Sequence, residues 1–379
     1  MAVGFPAKTN FATGDVLTAT NMNDITGTLN LLQSTLYPAG RNKVINGDLF
    51  WNQRGTTSTT TSTTFLVDRF KQISTAAAGS VTGSVEQFTP GTAPVAGYEA
   101  KQYCRLVTTG QAASTDRAIL NYAGVEDVRN FAGQTVIISF WAKAATGTPS
   151  VAVEFAQSFG SGGSPSATVT SIGSTKTAIT TSWARYSFTV AIPSIAGKTI
   201  GTDANTSSLQ FNIWVSAGSS FDSRSATLGL QNNTFDLWGF QVEAASTGST
   251  ASPFQTASGS IGGELALCQR YYYRITFDQA TVRAGVGIVD STTIAEITIP
   301  YPVAMRTRPT ALEQSGTATD YSLRSAGANT VCNAVPAFQT ATTFQGCSQF
   351  FVASGIVAGN AASFRNVNTS AYLGWSAEL

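Results

Sequence analysis

The 379-residue chain contains no histidine. That absence removes Ser-His-Asp and Cys-His nucleophile systems, the HExxH zinc helix and any imidazole base working near neutral pH. Charge is scarce as well: 22 Lys+Arg stand against 21 Asp+Glu, and the formal net charge is +1. Such a chain lacks the basic field that gathers nucleic acid or an anionic membrane surface, so neither is expected as a partner. No apolar run approaches the ~20 residues of a membrane helix. The opening MAVGFPAKTNFATGDV has neither a basic n-region nor an apolar h-region, which reads as a soluble product without a classical export signal. The four cysteines, Cys104, Cys268, Cys332 and Cys347, are scattered with no CxxC spacing, so no metal or other cofactor is expected. They read as buried free thiols, with only Cys332 and Cys347 placed to approach one another across a hairpin-sized loop.

What the chain has in quantity is hydroxyl and strand-forming residues. It carries 53 Thr and 39 Ser, and 42% of its residues are hydrophobic, enough for a real core. Thr, Val, Ile and the aromatics favour strands, while 35 Gly and 12 Pro supply turns. The expected fold is mainly β: a short N-terminal helix, a central antiparallel β-sandwich of jelly-roll type, and a smaller C-terminal β-sandwich. The corresponding segments are 1–40, 41–245, a linker at 246–263 rich in small residues, and 264–379.

The N-terminal segment departs from the period-two pattern. Met22, Ile25, Leu29, Leu32 and Leu36 recur at steps of three and four, the a/d spacing of a coiled-coil seam, with Pro38 and Gly40 stopping the helix. About two heptads are too short to be stable alone. The stripe therefore packs either on its own chain or against copies of itself.

Strand-like runs follow at 43–50, 65–73, 101–107, 117–123, 134–142, 150–157, 185–192, 208–215 and 235–243. Further runs are expected at 281–289, 293–299, 347–353 and 371–377, with Pro300, Pro302 and Pro309 confining 300–309 to an edge or connection. Along 209–215, Leu209, Phe211, Ile213 and Val215 point one way, and Gln210, Asn212 and Trp214 the other. Val151, Val153 and Phe155 likewise oppose Glu154. Trp214, Asn212, Gln210, Glu154 and Trp141 on a possible neighbouring strand form a candidate sugar platform, an aromatic face beside amides and a carboxylate. The competing reading is that these tryptophans are covered by another domain or protomer.

The ordered motifs Ile45-Asn46-Gly47-Asp48, Trp51-Asn52-Gln53-Arg54-Gly55, Val67-Asp68-Arg69-Phe70 and Ser139-Phe140-Trp141-Ala142-Lys143 resemble phage tail-fibre and related virion structural proteins. So do Trp183-Ala184-Arg185-Tyr186, Trp238-Gly239-Phe240-Gln241-Val242-Glu243, Gln269-Arg270-Tyr271-Tyr272, Pro302-Val303-Ala304-Met305-Arg306 and the closing Tyr372 to Leu379 stretch. The middle region resembles a carbohydrate-binding-module jelly roll, and Thr13 to Ala19 with Asn23 is similar to virion-attachment segments. The resemblance implies a non-enzymatic, homotrimeric fibre or baseplate subunit that joins other virion proteins through its N-terminal segment and recognises host surface glycan. Its expected location is the virion, after synthesis in the host bacterial cytoplasm. Related jelly rolls include some with a structural calcium where Asp48 and Glu243 would sit, but two carboxylates fall short of the six to eight oxygens calcium wants. Two rival functions stay open: a depolymerase using a carboxylate pair, which needs no histidine, and a purely architectural head, collar or baseplate protein.

Overall fold

The computed structural model describes residues 40–245 and 250–379. The heptad-spaced side chains of Met22, Ile25, Leu29, Leu32 and Leu36 lie outside the described residues. The first part of the chain supplies β1 (Ser58–Thr59), β2 (Thr64–Val67), β3 (Phe70–Thr75), β4 (Ser80–Gln87), β5 (Gln102–Thr109) and β6 (Arg117–Val125). It continues with β7 (Thr135–Ala144), β8 (Ser150–Ser158), β9 (Val169–Ala178), β10 (Ala184–Ala191), β11 (Ser208–Ala217) and β12 (Thr234–Ala244). These form two six-stranded sheets, ordered β1-β4-β5-β12-β7-β10 and β2-β3-β6-β11-β8-β9, with every pairing antiparallel. The expected mainly β sandwich is what the chain forms.

The predicted alternation holds where apolar residues are dense. Phe140, Phe155, Phe211 and Phe240 enter one core with Phe70 and Tyr122, and the Tyr122 and Phe211 rings stack with centroids 5.0 Å apart. Elsewhere the structure differs. The run 43–50 is a turn, because Asn46 and Leu49 take left-handed backbone (φ 59° each). The buried Asn46 side chain fills the turn, donating to the carbonyls of Trp51 and Asp68 and accepting from the Trp51 N–H, each at 2.9 Å. The run 65–73 is two strands, not one, broken at Arg69 (φ 72°). Strand β9 carries no apolar stripe to announce it; Ile172 alone among its residues is buried.

After the helix Ile261–Gln269 come β13 (Tyr272–Thr276), β14 (Arg283–Val289), β15 (Ile294–Pro300), β16 (Glu313–Gln314) and β17 (Tyr321–Ser325). The last strands are β18 (Ala328–Val331), β19 (Ala334–Ala341), β20 (Gln345–Phe351), β21 (Ala361–Asn366) and β22 (Tyr372–Ser376). They build a seven-stranded sheet, β18-β17-β21-β14-β15-β20-β19, and a three-stranded one, β13-β22-β16. The two sheets enclose a second core around Tyr321, Phe350, Phe364, Leu373 and Trp375. All four cysteines are free, and burial pushes the Cys332 thiol up to about 12.

Arginines join the two cores. Arg69, fully buried, donates to the Gly124 carbonyl at 2.6 Å, lies 3.5 Å over the Tyr271 ring and ion-pairs with Glu378. Arg54 stacks 3.6 Å over Tyr272 and also reaches Glu378, at 3.5 Å. Arg270 makes a two-point bond to Glu126 at 2.8 and 3.1 Å, which also accepts from the Tyr271 hydroxyl at 2.9 Å. Arg306 donates to the carbonyls of Ala377 and Glu378. The planar, permanently charged guanidinium suits this joint, since it bonds in its plane and stacks on its faces. The helix Ile261–Gln269 is capped by Ser260, whose side chain accepts from Gly263 N–H, and it presents buried Glu264 to the Asn46 N–H at 2.6 Å.

Removing one partner of a buried ion pair leaves an uncompensated charge, which costs about 3–5 kcal/mol. Glu378→Ala is therefore expected to lower the free energy of unfolding by about that much. Urea denaturation at pH 7 measures it, and a midpoint within error of the unmutated chain would contradict this role for Glu378.

Candidate functional site

The outer face of the first sheet carries three of the chain's six tryptophans, Trp141, Trp183 and Trp238. On β7, Phe140 enters the core, so Trp141 must face out. On β12 Trp238 is the direct cross-strand partner of Trp141 and faces out with it, and the register shift between Trp238 and Gln241 returns Phe240 to the core. The two indoles stack with centroids 4.6 Å apart and planes 10° from parallel. Gly239 makes this possible: its φ is +70°, and a Cβ there would lie 2.3 Å from the Trp141 ring. Around the pair stand Tyr98 (5.1 Å from Trp141), Phe254 (5.7 Å from Trp141), Phe88 (5.9 Å from Trp238) and Trp183 (6.4 Å from Trp238). Seven aromatic rings gather here once Tyr103, 4.7 Å from Phe88, is included.

Two segments shape this face into a cleft. The loop 88–100 is closed by a hydrogen bond from Gly91 N–H to Glu99 (2.7 Å), and Lys101 lies 4.6 Å over Phe50. The stretch 250–257 is stitched down by Phe254 N–H on the Tyr98 hydroxyl (3.2 Å), Gln255 N–H on Gln241 (2.9 Å) and Ser252 on Glu243. Between them lies a cleft of ≈ 860 Å³ with Phe50, Phe88, Tyr98 and Phe254 on its walls, Trp238 at its base, and Asp48, Gln87, Glu99, Lys101 and Gln255 as its polar groups. The Trp238 indole N–H has no acceptor among the described residues. Arg105 and Lys143 flank the same sheet face, both paired with Asp236.

Asp48 stands where this cleft meets a smaller pocket lined by Trp51, Ser260 and Glu264. Burial, and then the charge of Glu264, push its carboxyl up to about 6 from an ordinary 3.8. Asp68, beneath the same turn, is also pushed up to about 6 by burial. Among the described residues no group of three or more Cys, Asp or Glu is arranged to hold a metal ion.

The five residues singled out from sequence are placed differently from the platform expected. Trp214, Asn212 and Glu154 do meet on the outward side of the second sheet, as the alternation required, with half-buried Gln210 on the same strand. They are nevertheless covered. The turn Ser219–Phe221 and helical turn Asp222–Ser225 cross above them, with Phe221 5.5 Å from the Trp214 ring. Trp214 is 0% exposed, and Glu154 accepts from Trp214 Nε1, Asn212, Ser171 N–H and both ends of the Arg224 fork. A carboxylate with five donors has no capacity left for a sugar hydroxyl. Trp141 belongs to the other sheet altogether. The cover over Trp214 comes from turns of the same sandwich, not from another domain or protomer.

Sequence reasoning missed the cleft residues Phe50, Phe88, Tyr98, Trp238 and Phe254. Two of them, Phe88 and Tyr98, did leave a signal: they flank a Pro/Gly-rich loop between β4 and β5, and loops held on rigid scaffolds carry binding groups disproportionately.

No family model matches this chain, and no curated protein matches it. Among solved structures it is similar to the enzymatically active domain of tailspike protein 4 from bacteriophage CBA120, at 12% identity and a TM-score of 0.29, over 54% of this chain and 22% of that one. It is also similar to a family 11 carbohydrate-binding module from Clostridium thermocellum in complex with a mixed-linked tetrasaccharide (8% identity, TM-score 0.28, 51% of this chain, 97% of that one). A putative sugar binding protein from Bacteroides thetaiotaomicron aligns at 12% identity and a TM-score of 0.32, over 54% of this chain and 100% of that one. Likeness at this level carries no functional weight.

The raised Asp48 carboxyl has a signed consequence. A native state that holds its proton more tightly than the unfolded chain gains stability below the ordinary value of 3.8, and that gain is lost as pH rises through about 6. Asp48→Asn should therefore match the unmutated chain near pH 4 and exceed it in thermal midpoint at pH 8; equal midpoints at both pH values would contradict the assignment.

Proposed function

We propose that this chain is a non-enzymatic glycan-binding subunit of a bacteriophage appendage, a tail fibre or baseplate-associated adhesin. The observation that carries the glycan part is the cleft between the loop 88–100 and the stretch 250–257. Its aromatic walls offer flat apolar faces for pyranose C–H groups. Glu99, Lys101, Gln87 and Gln255 offer acceptors and donors for hydroxyls. A groove of this composition suits a neutral polysaccharide of the host surface better than a charged polymer, because its polar groups carry both signs.

The appendage part is supported by where the fibre-like motifs lie. Asp68-Arg69, Gln53-Arg54, Arg270-Tyr271-Tyr272, Arg306 and Ala377-Glu378 all meet in the joint between the two cores. These motifs therefore span both sandwiches of this chain and not the first alone. In this reading the N-terminal segment provides the homotrimeric contact and the attachment to other virion proteins, and the particle is where the protein works. A depolymerase remains the second reading, because Asp48, with its raised carboxyl at the cleft wall, has the property a general acid needs.

Affinity electrophoresis of the full chain against a panel of host capsular and wall polysaccharides tests the proposal. Tyr98→Ala and Phe88→Ala are expected to weaken retardation at least about tenfold, the loss of about 1.4 kcal/mol expected when a stacked ring is removed. Trp214→Ala should leave it unchanged while lowering stability by about 3–5 kcal/mol, as for a buried aromatic. New reducing ends in the same incubations would transfer the case to the depolymerase, and no retardation by any polysaccharide would favour a purely architectural role. Native mass measurement should give three chains; a clean monomer at micromolar concentration would remove the trimer.

A further inference from the structure

The charges of this chain are few, and several are ion-paired: Arg69 with Glu378, Arg270 with Glu126, Arg224 with Glu154, Arg105 with Asp236. The outer face of the seven-stranded sheet instead gathers like charges. Arg283 on β14 and Arg365 on β21 are direct cross-strand partners. Directly opposed residues share a face with Cβ atoms about 4.5–5.5 Å apart, and like charges there are destabilising. Arg324 on β17 registers opposite Ser363, two residues from Arg365 on the same face. Among the described residues no carboxylate lies within 4.0 Å of any of the three. Arg324 donates one hydrogen bond, to the Asn329 side chain, at 3.0 Å. The acid of that face, Glu296, lies on the adjacent strand β15 but opposite Ile288, five residues along β14 from Arg283, and accepts from Gln339 and Gln349 instead.

The local backbone is built to hold this arrangement. Gly285, at φ +67°, forms a bulge between Ala284 and Val286. A Cβ at this glycine would sit 2.7 Å from Ile299, so the position cannot take a side chain. The extra residue puts Arg283 and Val286, three apart in sequence, on one face. Beside the arginines lie Val286 (71% exposed), Ile288 (52%) and Val331 (49%), with the hydroxyl of Ser363 between the strands. Uncompensated guanidinium groups flanked by open apolar and hydroxyl surface match a ligand that carries oxyanions along an otherwise sugar-like body. The forks accept carboxylates in two-point bonds, and the valine and isoleucine side chains cover C–H faces.

We propose that Arg283, Arg365 and Arg324 form a second binding site, on the outer face of the C-terminal sheet, for an acidic polysaccharide. This site is independent of the aromatic cleft: it lies on the other domain and uses charge where the cleft uses rings. Three arginines on one sheet face are too few for the long salt-sensitive track that nucleic acid requires, and the chain as a whole is near neutral.

Titration calorimetry of the full chain with oligogalacturonate tests the site, with neutral dextran, inorganic phosphate and single-stranded DNA as comparison probes. Oligogalacturonate is expected to bind with an affinity that falls as salt rises, and dextran is expected not to compete with it. Arg283→Gln combined with Arg365→Gln should weaken it at least about tenfold. The same double variant should keep or raise its thermal midpoint, because a like-charge pair has been removed. Tyr98→Ala should leave oligogalacturonate affinity unchanged, which separates this site from the cleft. The proposal is overturned if the double variant binds as the unmutated chain does, if inorganic phosphate competes at equal charge concentration, or if DNA binds as tightly as the uronate.

Discussion

The buried guanidinium of Arg69 is the constraint around which the two halves of this molecule are organised. A charge taken fully out of water must find its partners inside the protein, and Arg69 finds one of them 309 residues further along the chain. Glu378 supplies the counter-charge, Tyr271 the ring beneath, and Gly124 the carbonyl. Arg69 can occupy its site only when the first sandwich, the helix 261–269 and the last strand of the chain are all in place. The turn at Asn46 depends on the same joint, because its N–H is accepted by Glu264 from the helix, and Asp48 inherits its crowded setting from that contact.

From the joint outwards, the two sheets of the first sandwich meet solvent in different ways. The second sheet is roofed by the short turns 219–225, which bring Phe221 and Arg224 down on Trp214 and saturate Glu154. The first sheet carries its own aromatic layer, but the segments crossing it leave a trough between them. The difference comes from the covering segments: one brings a cation that satisfies the buried acid, while the other two bring rings and polar groups that face a shared space. The outer face of the C-terminal sheet has no cover among the described residues, and its arginines stand beside exposed valine and isoleucine.

Much of the fold was legible in the sequence, because burial on one side of a sheet imposes period two. Leu209 to Val215 and Val151 to Phe155 show it plainly, and both point as expected. Legibility failed where the stabilising term was not a repeated apolar residue. Asn46 ends a strand-like run by filling a turn with its amide, and Arg69 splits another at a left-handed position. Strand β9 is held by its neighbour β8 with one buried apolar side chain. For the site, the sequence identified which side of β11 Trp214 faces but not what lies above it. The cover is a seven-residue segment, Ser219–Ser225, with no periodicity to read.

The sequence by itself determined the class of the molecule: a nearly neutral, histidine-free, hydroxyl-rich β-protein whose inward faces are set by alternation. Those are local properties, fixed by composition and by the geometry of a single strand. Only the tertiary structure decided which outward faces remain open and which charges find partners. Both depend on segments far apart in the chain, such as Phe254 beside Tyr98 or Glu378 on Arg69, and no pattern within one strand encodes a contact with a residue 300 positions away.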